Sequence, residues 1–410
     1  MKSQVYHQDS RNISQFLPKD IKVQTTITSP PYFDMKDYGV DNQVGFGQEY
    51  TDYLNDLQLI FRQIYDVTKD DGTLWIIIDT FKRNNAVVPL PFDLVNKLNA
   101  VGWLLQDIII WKKDKTVPWT SKGFVQRKFE YVLFLSKTPK FKYNKDRVRV
   151  YDTNQLKKWW VKYPERYNPK GKALDEIWEF PIPVQGSWGN EYIRHFCPLP
   201  KDMVANMISI SSDEGDIILD PFAGSGTVLS QSAYMNRLYV GFELNKEYIS
   251  QFKAYLKKTI KKGKNEYNKL VNDSGQSSFE SVIWDLRVLK YGRLLVTGLE
   301  KSLKRNGLKV FVKRNTEDIS IPYAVRFAIY GTEKDEKVMK TINAIVSKPP
   351  LSKFEIRPII TFTNKKPSSK YCFCYSKTNS YSYMKDVVWN DPKVKVISNI
   401  KVDLNEKDYE

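Results

Sequence analysis

Cysteine and histidine are scarce in this sequence of 410 residues, which contains three cysteines and two histidines. These residues are too few for a zinc-ligand set with credible spacing or for a disulfide framework. No apolar run approaches the roughly 18 residues that a membrane-spanning helix needs, and Met1–Ser10 is polar, unlike a secretory signal. The sequence therefore predicts a soluble, cytoplasmic protein with no metal and no membrane partner.

Positive charge is concentrated in the C-terminal part of the chain. Residues 251–410 contain 32 Lys and Arg against 17 Asp and Glu, so they carry +15 of the formal net charge of +17. Residues 1–250 carry the remaining +2. A basic region beside a nearly neutral one indicates a polyanionic partner. A lysine-rich solvated surface is the alternative, and charge alone does not decide between the two.

Short apolar stretches alternate with amphipathic ones up to about residue 262. This alternation predicts an α/β fold, with a doubly wound, mostly parallel sheet that is covered by helices on both faces. The predicted strands are Val23–Ser29, Thr73–Asp79, Gln106–Trp111, Tyr131–Leu135, Asp216–Asp220 and Leu238–Glu243. The predicted helices are Glu49–Val67, Pro91–Val101, Lys201–Ser211, Thr227–Met235 and Lys246–Lys262.

Two domains follow from this pattern. Residues 1–271 are predicted to form the α/β domain, and the polar stretch Asn272–Ser278 is predicted to be a linker. Residues 279–410 contain strand-like runs at Leu308–Lys313 and Arg357–Thr363, which predict a smaller, basic α+β domain. We expect this second domain to help hold a nucleic acid through phosphate contacts.

A basic and aromatic segment interrupts the α/β alternation, inside a predicted insert at about residues 138–192. From Lys140 to Lys172 the sequence has 11 Lys and Arg, three acids and seven interleaved aromatic residues. Cations suit phosphates and aromatic faces suit bases, so the segment predicts a nucleic-acid groove. An insert whose aromatics pack its own small core is the alternative. The residues predicted to bind DNA are Lys140, Lys142, Lys145, Arg147, Arg149, Lys157, Lys158, Trp159 and Trp160.

The stretch DIILDPFAGSGT, Asp216–Thr227, predicts a buried strand, a glycine turn and a helix. Gly224 and Gly226 allow the backbone to approach a ligand closely at the carboxyl end of the strand. The third glycine of a dinucleotide fingerprint is absent, and no Gly-Lys-Ser/Thr of a phosphate-binding loop follows. Instead, Glu243 ends the next predicted strand, 23 residues after Asp220, where an acid can accept both hydroxyls of a ribose. This pattern predicts a cofactor with a ribose and no pyrophosphate, a description that S-adenosyl-L-methionine meets.

The stretch TITSPPYFDMKDYG, Thr26–Gly39, runs a β-branched strand directly into two prolines. Pro30 and Pro31 remove two backbone donors and fix two φ angles, so the strand must end and the chain must leave in a stiff, extended shape. The rigidity suggests that this turn has a functional role. A rigid strand exit without catalysis is the alternative.

Two motifs together resemble those of a known family. Thr28–Tyr32 (TSPPY) followed by Asp220–Thr227 (DPFAGSGT), each at a strand end, is similar to the exocyclic-amine DNA methyltransferases, in the permuted β-type order where the catalytic tetrapeptide comes first. The resemblance covers about residues 5–262 and includes Asp9-Ser10 before the catalytic strand and Asp71–Ile76 after the catalytic loop.

The segment Arg194–Pro200 also resembles the family, in which it holds the methionine end of the cofactor. Cys197 departs from the expected apolar or proline residue, and a loop leading into a helix is the alternative reading of His195. The resemblance implies a cofactor site made by Asp9, Asp220, Pro221, Phe222, Ala223, Gly224, Ser225, Gly226, Thr227, Glu243 and His195. It implies a catalytic site made by Ser29, Pro30, Pro31 and Tyr32.

The function implied by this resemblance is site-specific methylation of duplex DNA at an exocyclic amine. Serine in the first tetrapeptide position is typical of enzymes that form N4-methylcytosine and aspartate of those that act on adenine, so cytosine is favoured and N6-adenine is the alternative. Methylation at carbon five of cytosine is discarded, because Cys197 precedes its proline and is far from the catalytic turn in sequence. A non-catalytic nucleic-acid-binding protein and an RNA or protein methyltransferase remain further alternatives.

Partners also follow from the resemblance. A restriction-modification setting implies a separate restriction endonuclease as the biological partner, in a prokaryotic cytoplasm. A fused endonuclease is not adopted, because no Pro-Asp followed by Asp/Glu-X-Lys is found after residue 272. The sequence leaves monomer and homodimer undecided, and it does not identify the DNA recognition sequence.

Overall fold

The computed structural model describes residues 2–18, 20–37, 39–40, 42–114, 127–151, 163–183, 199–303, 310–314, 324–330, 336–354, 357–363 and 396–401. The chain divides into two compact units. The first comprises residues 1–150 and 173–274, and the second comprises residues 151–172 and 275–410. Part of the predicted insert, residues 151–172, therefore groups with the C-terminal unit rather than with the α/β unit.

A mixed sheet organises the first unit. In chain order, the strands of this unit are β1 (Gln4–Tyr6), β2 (Val23–Thr28), β3 (Thr68–Ile78), β4 (Phe81–Arg83), β5 (Ala86–Val88), β6 (Leu104–Lys112), β7 (Phe129–Ser136), β8 (Ile177–Glu179), β9 (Ile217–Asp220) and β10 (Leu238–Phe242). Eight of them form one sheet in the order β1-β10-β9-β2-β3-β7-β6-β8, while β4 and β5 form a separate hairpin. Strands β1, β10, β9, β2 and β3 run parallel, and β7 runs antiparallel to both β3 and β6. The predicted mostly parallel sheet is confirmed.

Helices of the first unit lie on both faces of this sheet. They are α1 (Ile13–Phe16), α2 (Tyr50–Val67), α3 (Leu90–Val101), α4 (Lys201–Ser211), α5 (Thr227–Tyr234) and α6 (Lys246–Asn272). Along β3, Leu74 and Ile76 pack into a core cluster with α2 and α3, while Trp75 and Ile77 pack into another with α4. Successive side chains of a strand point to opposite faces, so a strand covered on both sides reads as one continuous apolar run. None of the helices in the described ranges is long and apolar enough to cross a membrane.

The chain reverses its direction of travel across the sheet at β2. Strand β2 pairs with β3 on one side and with β9 on the other. The connection through α2 leads to β3, whereas α5 leads from β9 outward to β10. In such sheets the ligand crevice opens at the carboxyl ends of the strands that flank the reversal. The two sequence motifs begin at those two carboxyl ends.

The second unit is built around a long helix and a small sheet. Its elements are α7 (Gln276–Leu303), β11 (Val310–Arg314), β12 (Ala324–Tyr330), α8 (Glu336–Val346), β13 (Arg357–Thr363) and β14 (Val396–Lys401). The strands lie in the order β11-β12-β13-β14, with a parallel β12–β13 pair between two antiparallel ones. The predicted linker was too long at both ends, because α6 continues to Asn272 and α7 already begins at Gln276.

Aromatic residues of the insert pack on α7 within this second unit. The rings of Tyr151 and Phe279 lie 6.0 Å apart, and Tyr167 packs on the same buried cluster. Arg287 of α7 is buried and donates hydrogen bonds to the carbonyls of Pro164 and Tyr167 at 3.3 and 2.7 Å. These contacts are the physical reason why residues 151–172 group with the C-terminal part of the chain.

Candidate active site

A hydrogen bond joins the catalytic turn to the cofactor loop. Thr28, the last residue of β2, donates from Oγ1 to Asp220 Oδ1 at 2.8 Å, and both side chains are buried. Ser29–Tyr32 follow directly in the turn, and the carbonyl of Pro31 accepts a hydrogen bond from the Tyr53 hydroxyl of α2 at 2.6 Å. The turn is therefore held both by its proline rings and by its neighbours.

Asp220 ends β9 and is the first residue of the cofactor loop. Its Oδ1 also accepts from the backbone N–H of Phe222 at 3.1 Å. Burial raises the pKa of Asp220 to about 7, and the charge of Glu243 adds to this effect, while the hydrogen bonds from Thr28 and Phe222 oppose it. A buried carboxyl group thus lies directly beneath the catalytic turn.

Glu243 follows β10 and closes the other side of the loop. Its Oε2 accepts from the backbone N–H of Gly224 at 2.7 Å, and its Oε1 accepts from that of Asn245 at 2.8 Å. Burial raises the pKa of this carboxyl group, although the backbone hydrogen bonds from Asn245 and Gly224 act in the opposite direction. The acid identified by its spacing therefore lies beside the glycine turn.

Gly226 shows why the loop needs glycine. Its φ of +82° is in the left-handed region, and a Cβ at this position would lie 2.2 Å from the ring of Phe252 in α6. Both conditions exclude a larger residue without movement of the backbone or of Phe252. The glycine thus allows α5 to begin directly against α6.

Asp9 approaches the cofactor loop from the N-terminal segment. Its carboxylate accepts hydrogen bonds from the backbone N–H of Arg11 at 2.8 Å and from the Arg11 guanidinium, which also pairs with Asp56 at 3.0 Å. The neighbouring Ser10 hydroxyl donates to the carbonyl of Pro221. The bond between Ser10 and Pro221 joins residues about 210 positions apart in the chain and fixes Asp9 beside the loop.

A cavity of about 300 Å³ lies between these elements. Most of the residues predicted for catalysis and cofactor binding line it, namely Asp9, Ser29, Pro30, Pro31, Tyr32, Asp220, Pro221, Phe222, Ala223, Gly224, Ser225, Thr227 and Glu243, and Ser10 of the quoted Asp9-Ser10 pair does so too. Gly226 lies in the same loop without lining the cavity, and His195 lies outside the described residues.

Several residues of this cavity were not predicted from the sequence. Lys36, Gln43 and Val44 come from the segment after the catalytic turn, and Tyr248 comes from the first turn of α6. No motif marks them. The only available signal was their position, because segments that follow the carboxyl ends of β2 and β10 must lie at the same edge of the sheet.

Two charged residues behind the catalytic turn were also missed. The Tyr32 hydroxyl donates to Glu130 Oε2 of β7 at 2.7 Å, and Glu130 pairs with Lys113. An acid near the start of the apolar run FEYVLFLS was the signal that could have identified Glu130, since a charge in a half-buried strand needs a partner.

Three of the described residues predicted to bind DNA, namely Lys142, Arg147 and Arg149, form ion pairs within the protein. Lys142 pairs with Asp213 and Asp216 at 2.8 and 2.9 Å, and Arg147 pairs with Asp213 at 2.6 Å. Asp216 precedes β9, so these pairs lie at the amino edge of the sheet, opposite the cavity. Lys157, Lys158, Trp159 and Trp160 lie outside the described residues. Lys140 and Lys145 are exposed, and Arg149 pairs with Asp146 at 2.7 Å.

Comparison with known proteins identifies the family. The family model described as DNA methylase, for N6 and N4 methyltransferases, matches residues 23–254, which is more than half of the chain. The type II methyltransferase M.Cfr9I of Citrobacter freundii is 30% identical over 275 residues, covering 60% of this chain and 84% of that protein. The chain belongs to the exocyclic-amine DNA methyltransferase family.

Two solved structures are also similar to the chain. The PvuII DNA methyltransferase, which is cytosine-N4-specific, is 17% identical with a TM-score of 0.48, and the match covers 66% of this chain and 93% of that one. A DNA modification methylase of Thermus thermophilus, complexed with S-adenosyl-L-methionine, is 22% identical with a TM-score of 0.44, covering 63% and 94%.

S-adenosyl-L-methionine is the cofactor, and the cavity fits it. Asp9 and Glu243 both line the cavity. Thr227 lines the cavity, and its buried hydroxyl has no hydrogen-bond partner within the described part of the chain. A buried polar atom without a partner is costly unless a ligand or water satisfies it. Within the same described part, no cluster of three or more metal-ligating side chains is found.

Proposed function

We propose that the protein transfers a methyl group to the exocyclic N4 amine of cytosine in duplex DNA. The observation that carries this proposal is the position of Ser29. It follows β2, lines the cavity, and stands one residue after Thr28, which is bonded to the cofactor-loop residue Asp220. Serine at this position is typical of the cytosine-N4 enzymes of the family. Adenine N6 is the competing target, because either acceptor could serve either amine.

In this proposal the catalytic turn, Ser29–Tyr32, activates a poor nucleophile. The lone pair of an exocyclic amine is conjugated into the base ring. Hydrogen bonds from both N–H groups to fixed acceptors favour a pyramidal nitrogen and free its lone pair. In this proposal Ser29 Oγ and the carbonyl of Pro30 are the acceptors, the prolines keep that carbonyl rigid, and Tyr32 stacks on the base. The methylated amine then loses its proton to water or to a nearby acceptor.

The cofactor supplies a sulfonium-bound methyl group when it is present. Glu243 would hold the ribose hydroxyls, Asp9 would lie by the adenine, and residues 220–227 would surround the cofactor body. Since a base inside a duplex cannot reach the cavity, it must be flipped out, at a cost of a few kcal/mol that stacking and backbone contacts offset. No covalent intermediate with the protein is needed.

DNA contact is proposed for the basic insert and for residues 279–410. Exposed Lys140 and Lys145 are the candidates in the described ranges, joined by Lys157, Lys158, Trp159 and Trp160. Arg149 was also predicted, but its side chain is only 6% exposed and pairs with Asp146, so it is not proposed as a contact. Lys142 and Arg147 support the sheet through their ion pairs, so their mutation should affect stability as well. We further propose that the protein is the modification enzyme of a restriction-modification system in a prokaryotic cytoplasm, with a separate restriction endonuclease as its partner.

The test is nucleoside analysis of methylated DNA by mass spectrometry. Mixed-sequence duplex DNA is incubated with the protein and methyl-labelled S-adenosyl-L-methionine, beside the variant Ser29→Ala. We expect labelled N4-methylcytosine, and a rate that falls roughly 100- to 1,000-fold in the variant, which is the scale for loss of one preorganised catalytic hydrogen bond. Cofactor affinity of the variant should match that of the wild type.

Other outcomes separate the parts of the proposal. Labelled N6-methyladenine would retain the mechanism and overturn the choice of base. Label on neither base, despite measurable cofactor binding, would overturn the DNA substrate and direct the search to RNA.

A further inference from the structure

A chain of hydrogen bonds runs from the cavity into the sheet behind the catalytic turn. Ser29 Oγ donates to the Tyr32 hydroxyl at 3.4 Å, and that hydroxyl donates to Glu130 Oε2 at 2.7 Å. The other carboxyl oxygen of Glu130 pairs with Lys113 of the segment after β6. The side chains of Glu130 and Lys113 are only 13% and 18% exposed. The chain therefore ends in a largely buried ion pair.

The hydrogen bonds of this chain all point in one direction. A carboxylate only accepts, so Tyr32 must direct its single hydroxyl proton to Glu130. The Tyr32 oxygen then has only lone pairs to offer to Ser29, and the geometry has Ser29 donating to it. With its own proton engaged in this way, Ser29 presents its remaining lone pairs to the cavity.

We infer that Glu130 is a positioning residue that acts through Tyr32 to make Ser29 a hydrogen-bond acceptor for the substrate amine. This inference rests on the proposed role of Ser29. A serine hydroxyl can donate as well as accept, and only an accepting hydroxyl favours a pyramidal amine. A carboxylate in the place of Ser29 would accept whatever its neighbours did. The need for a chain of hydrogen bonds that all point in one direction is therefore specific to serine at this position.

Lys113 completes the arrangement by holding the carboxylate. Trp111 of β6 pairs with Glu130 of β7 in the antiparallel register, so Lys113, two residues after Trp111, lies on the same face of the sheet as Glu130. The backbone N–H of Lys113 donates to the carbonyl of Lys128 at 2.7 Å, which fixes this end of the strand pair. The ion pair thus anchors this chain of hydrogen bonds to the sheet rather than to a loop.

Two single variants test the inference. Tyr32→Phe keeps the aromatic face and removes only the hydroxyl, and Glu130→Gln removes the carboxylate that orients it. We expect each to slow single-turnover methyl transfer about 10- to 100-fold, the scale for a hydrogen bond to a charged group. The dissociation constant for S-adenosyl-L-methionine should stay unchanged. Because Glu130 acts only through Tyr32, the double variant should be no slower than Tyr32→Phe alone.

Glu179→Gln is the matched control. It removes the partner of Lys112 in a Glu–Lys pair with an N–O distance of 2.7 Å, but that glutamate is 68% exposed and lies on the edge strand β8. We expect its rate to equal that of the wild type. Circular dichroism and cofactor binding establish that each variant is folded, and if Glu130→Gln does not fold, Tyr32→Phe decides the matter alone.

A wild-type rate for Tyr32→Phe, or independent losses that multiply in the double variant, would overturn the inference. If the variant Ser29→Asp has measurable activity, a further test is to add Tyr32→Phe to it. In this double variant, Tyr32→Phe should no longer slow methyl transfer, because an aspartate accepts without being oriented. If the effect persists there, the hydroxyl merely holds the ring. Failure of the proposed function is recognised separately, since it appears as absence of N4-methylcytosine in the products of the wild-type protein.

Discussion

Three carboxyl groups at the carboxyl edge of the main sheet and two at its amino edge have pKa values that are shifted in opposite directions. At the carboxyl edge, burial raises the pKa of Asp79, Asp220 and Glu243. At the amino edge, hydrogen bonds from Lys142 and then Arg147 lower the pKa of Asp213 to about 2. Burial alone would raise the pKa of Asp216, but hydrogen bonds from Lys69 and Lys142 outweigh it and lower the value.

The direction of the pKa shift distinguishes the carboxyl groups near the cavity from those that stabilise the fold. Carboxylates that are buried with few cations cost stability, and such strained groups concentrate where a ligand will be bound. Asp213 and Asp216, whose carboxylates pair with lysine and arginine, stabilise the fold and need no ligand. The same β9 strand connects Asp216 at one end with Asp220 at the other, so both treatments occur within a single short element.

The largest expected effect concerns Asp220 and pH. The folded pKa of about 7 exceeds the ordinary value of 3.8, so the folded protein binds more protons between these values. The free energy of unfolding should therefore fall as pH rises from about 4 to about 7, by up to about 4 kcal/mol from this group. Asp220→Asn can still accept the bonds from Thr28 and Phe222, and it should lose this component.

Urea denaturation of both proteins at about pH 5 and about pH 8 checks this prediction. The variant should gain stability relative to the wild type at the higher pH. An identical pH dependence in both proteins would show that Asp220 is ionised in the fold, and would remove the contrast between the two edges.

The next effect concerns Asp216 at the amino edge. Asp216→Asn removes the charge that Lys69 and Lys142 contact at 2.7 and 2.9 Å, and we expect it to lower the free energy of unfolding by about 1–3 kcal/mol near pH 7. The rate of methyl transfer well below the unfolding temperature should not change, because the residue is at the edge opposite the cavity. The exposed Asp20→Asn is the control for loss of one negative charge. If Asp216→Asn had wild-type stability and a reduced rate of methyl transfer, the assignment of Asp216 to stability rather than to function would be wrong.

The smallest effect concerns Asp213. Its lowered pKa means that it contributes stability above the ordinary value of 3.8, and that this contribution is lost as pH falls through about 2. Because the side chain is 48% exposed, solvent screening limits the contribution to about 0.5 kcal/mol. Acid unfolding of Asp213→Asn between about pH 4 and pH 2 should therefore differ only slightly from that of the wild type. A difference of several kcal/mol would show that this pair is as important as that of Asp216.

The local pattern of the sequence was sufficient to predict the longer α/β elements and the two motifs, but not the short elements β1, β4, β5, β8 and α1. Strand β3 begins earlier than predicted, at Thr68, and α6 ends later, at Asn272, but the remaining predicted elements of the first unit lie within two residues of those observed. The position of Ser29 and Asp220 at the same cavity followed from one rule, which is that parallel strands bring their carboxyl ends to the same edge of the sheet. That rule requires no knowledge of side-chain contacts.

Features that depend on distant contacts were missed. The pairing of Lys113 with Glu130 requires the register of β6 on β7, which spacing alone does not give. Helix α7 was overlooked because the polar stretch before it suggested a linker, although Phe279, Ile283 and Trp284 follow with helical spacing. Residues 151–172 were assigned to the first domain because they are adjacent to it in sequence, whereas their packing partners lie more than 100 residues later.

The bond between Thr28 and Asp220 has a consequence for how the protein is made. It joins residues 192 positions apart, so the loop it closes spans nearly half of the chain. Contacts of such high sequence separation form late, because the entropy of closing the loop must be overcome before they stabilise anything. During synthesis, no partly made chain can bring the two motifs together until the β9 strand has left the ribosome. Methyl transfer therefore requires that both motifs are already in place. A nascent chain that contains only the first motif cannot methylate DNA.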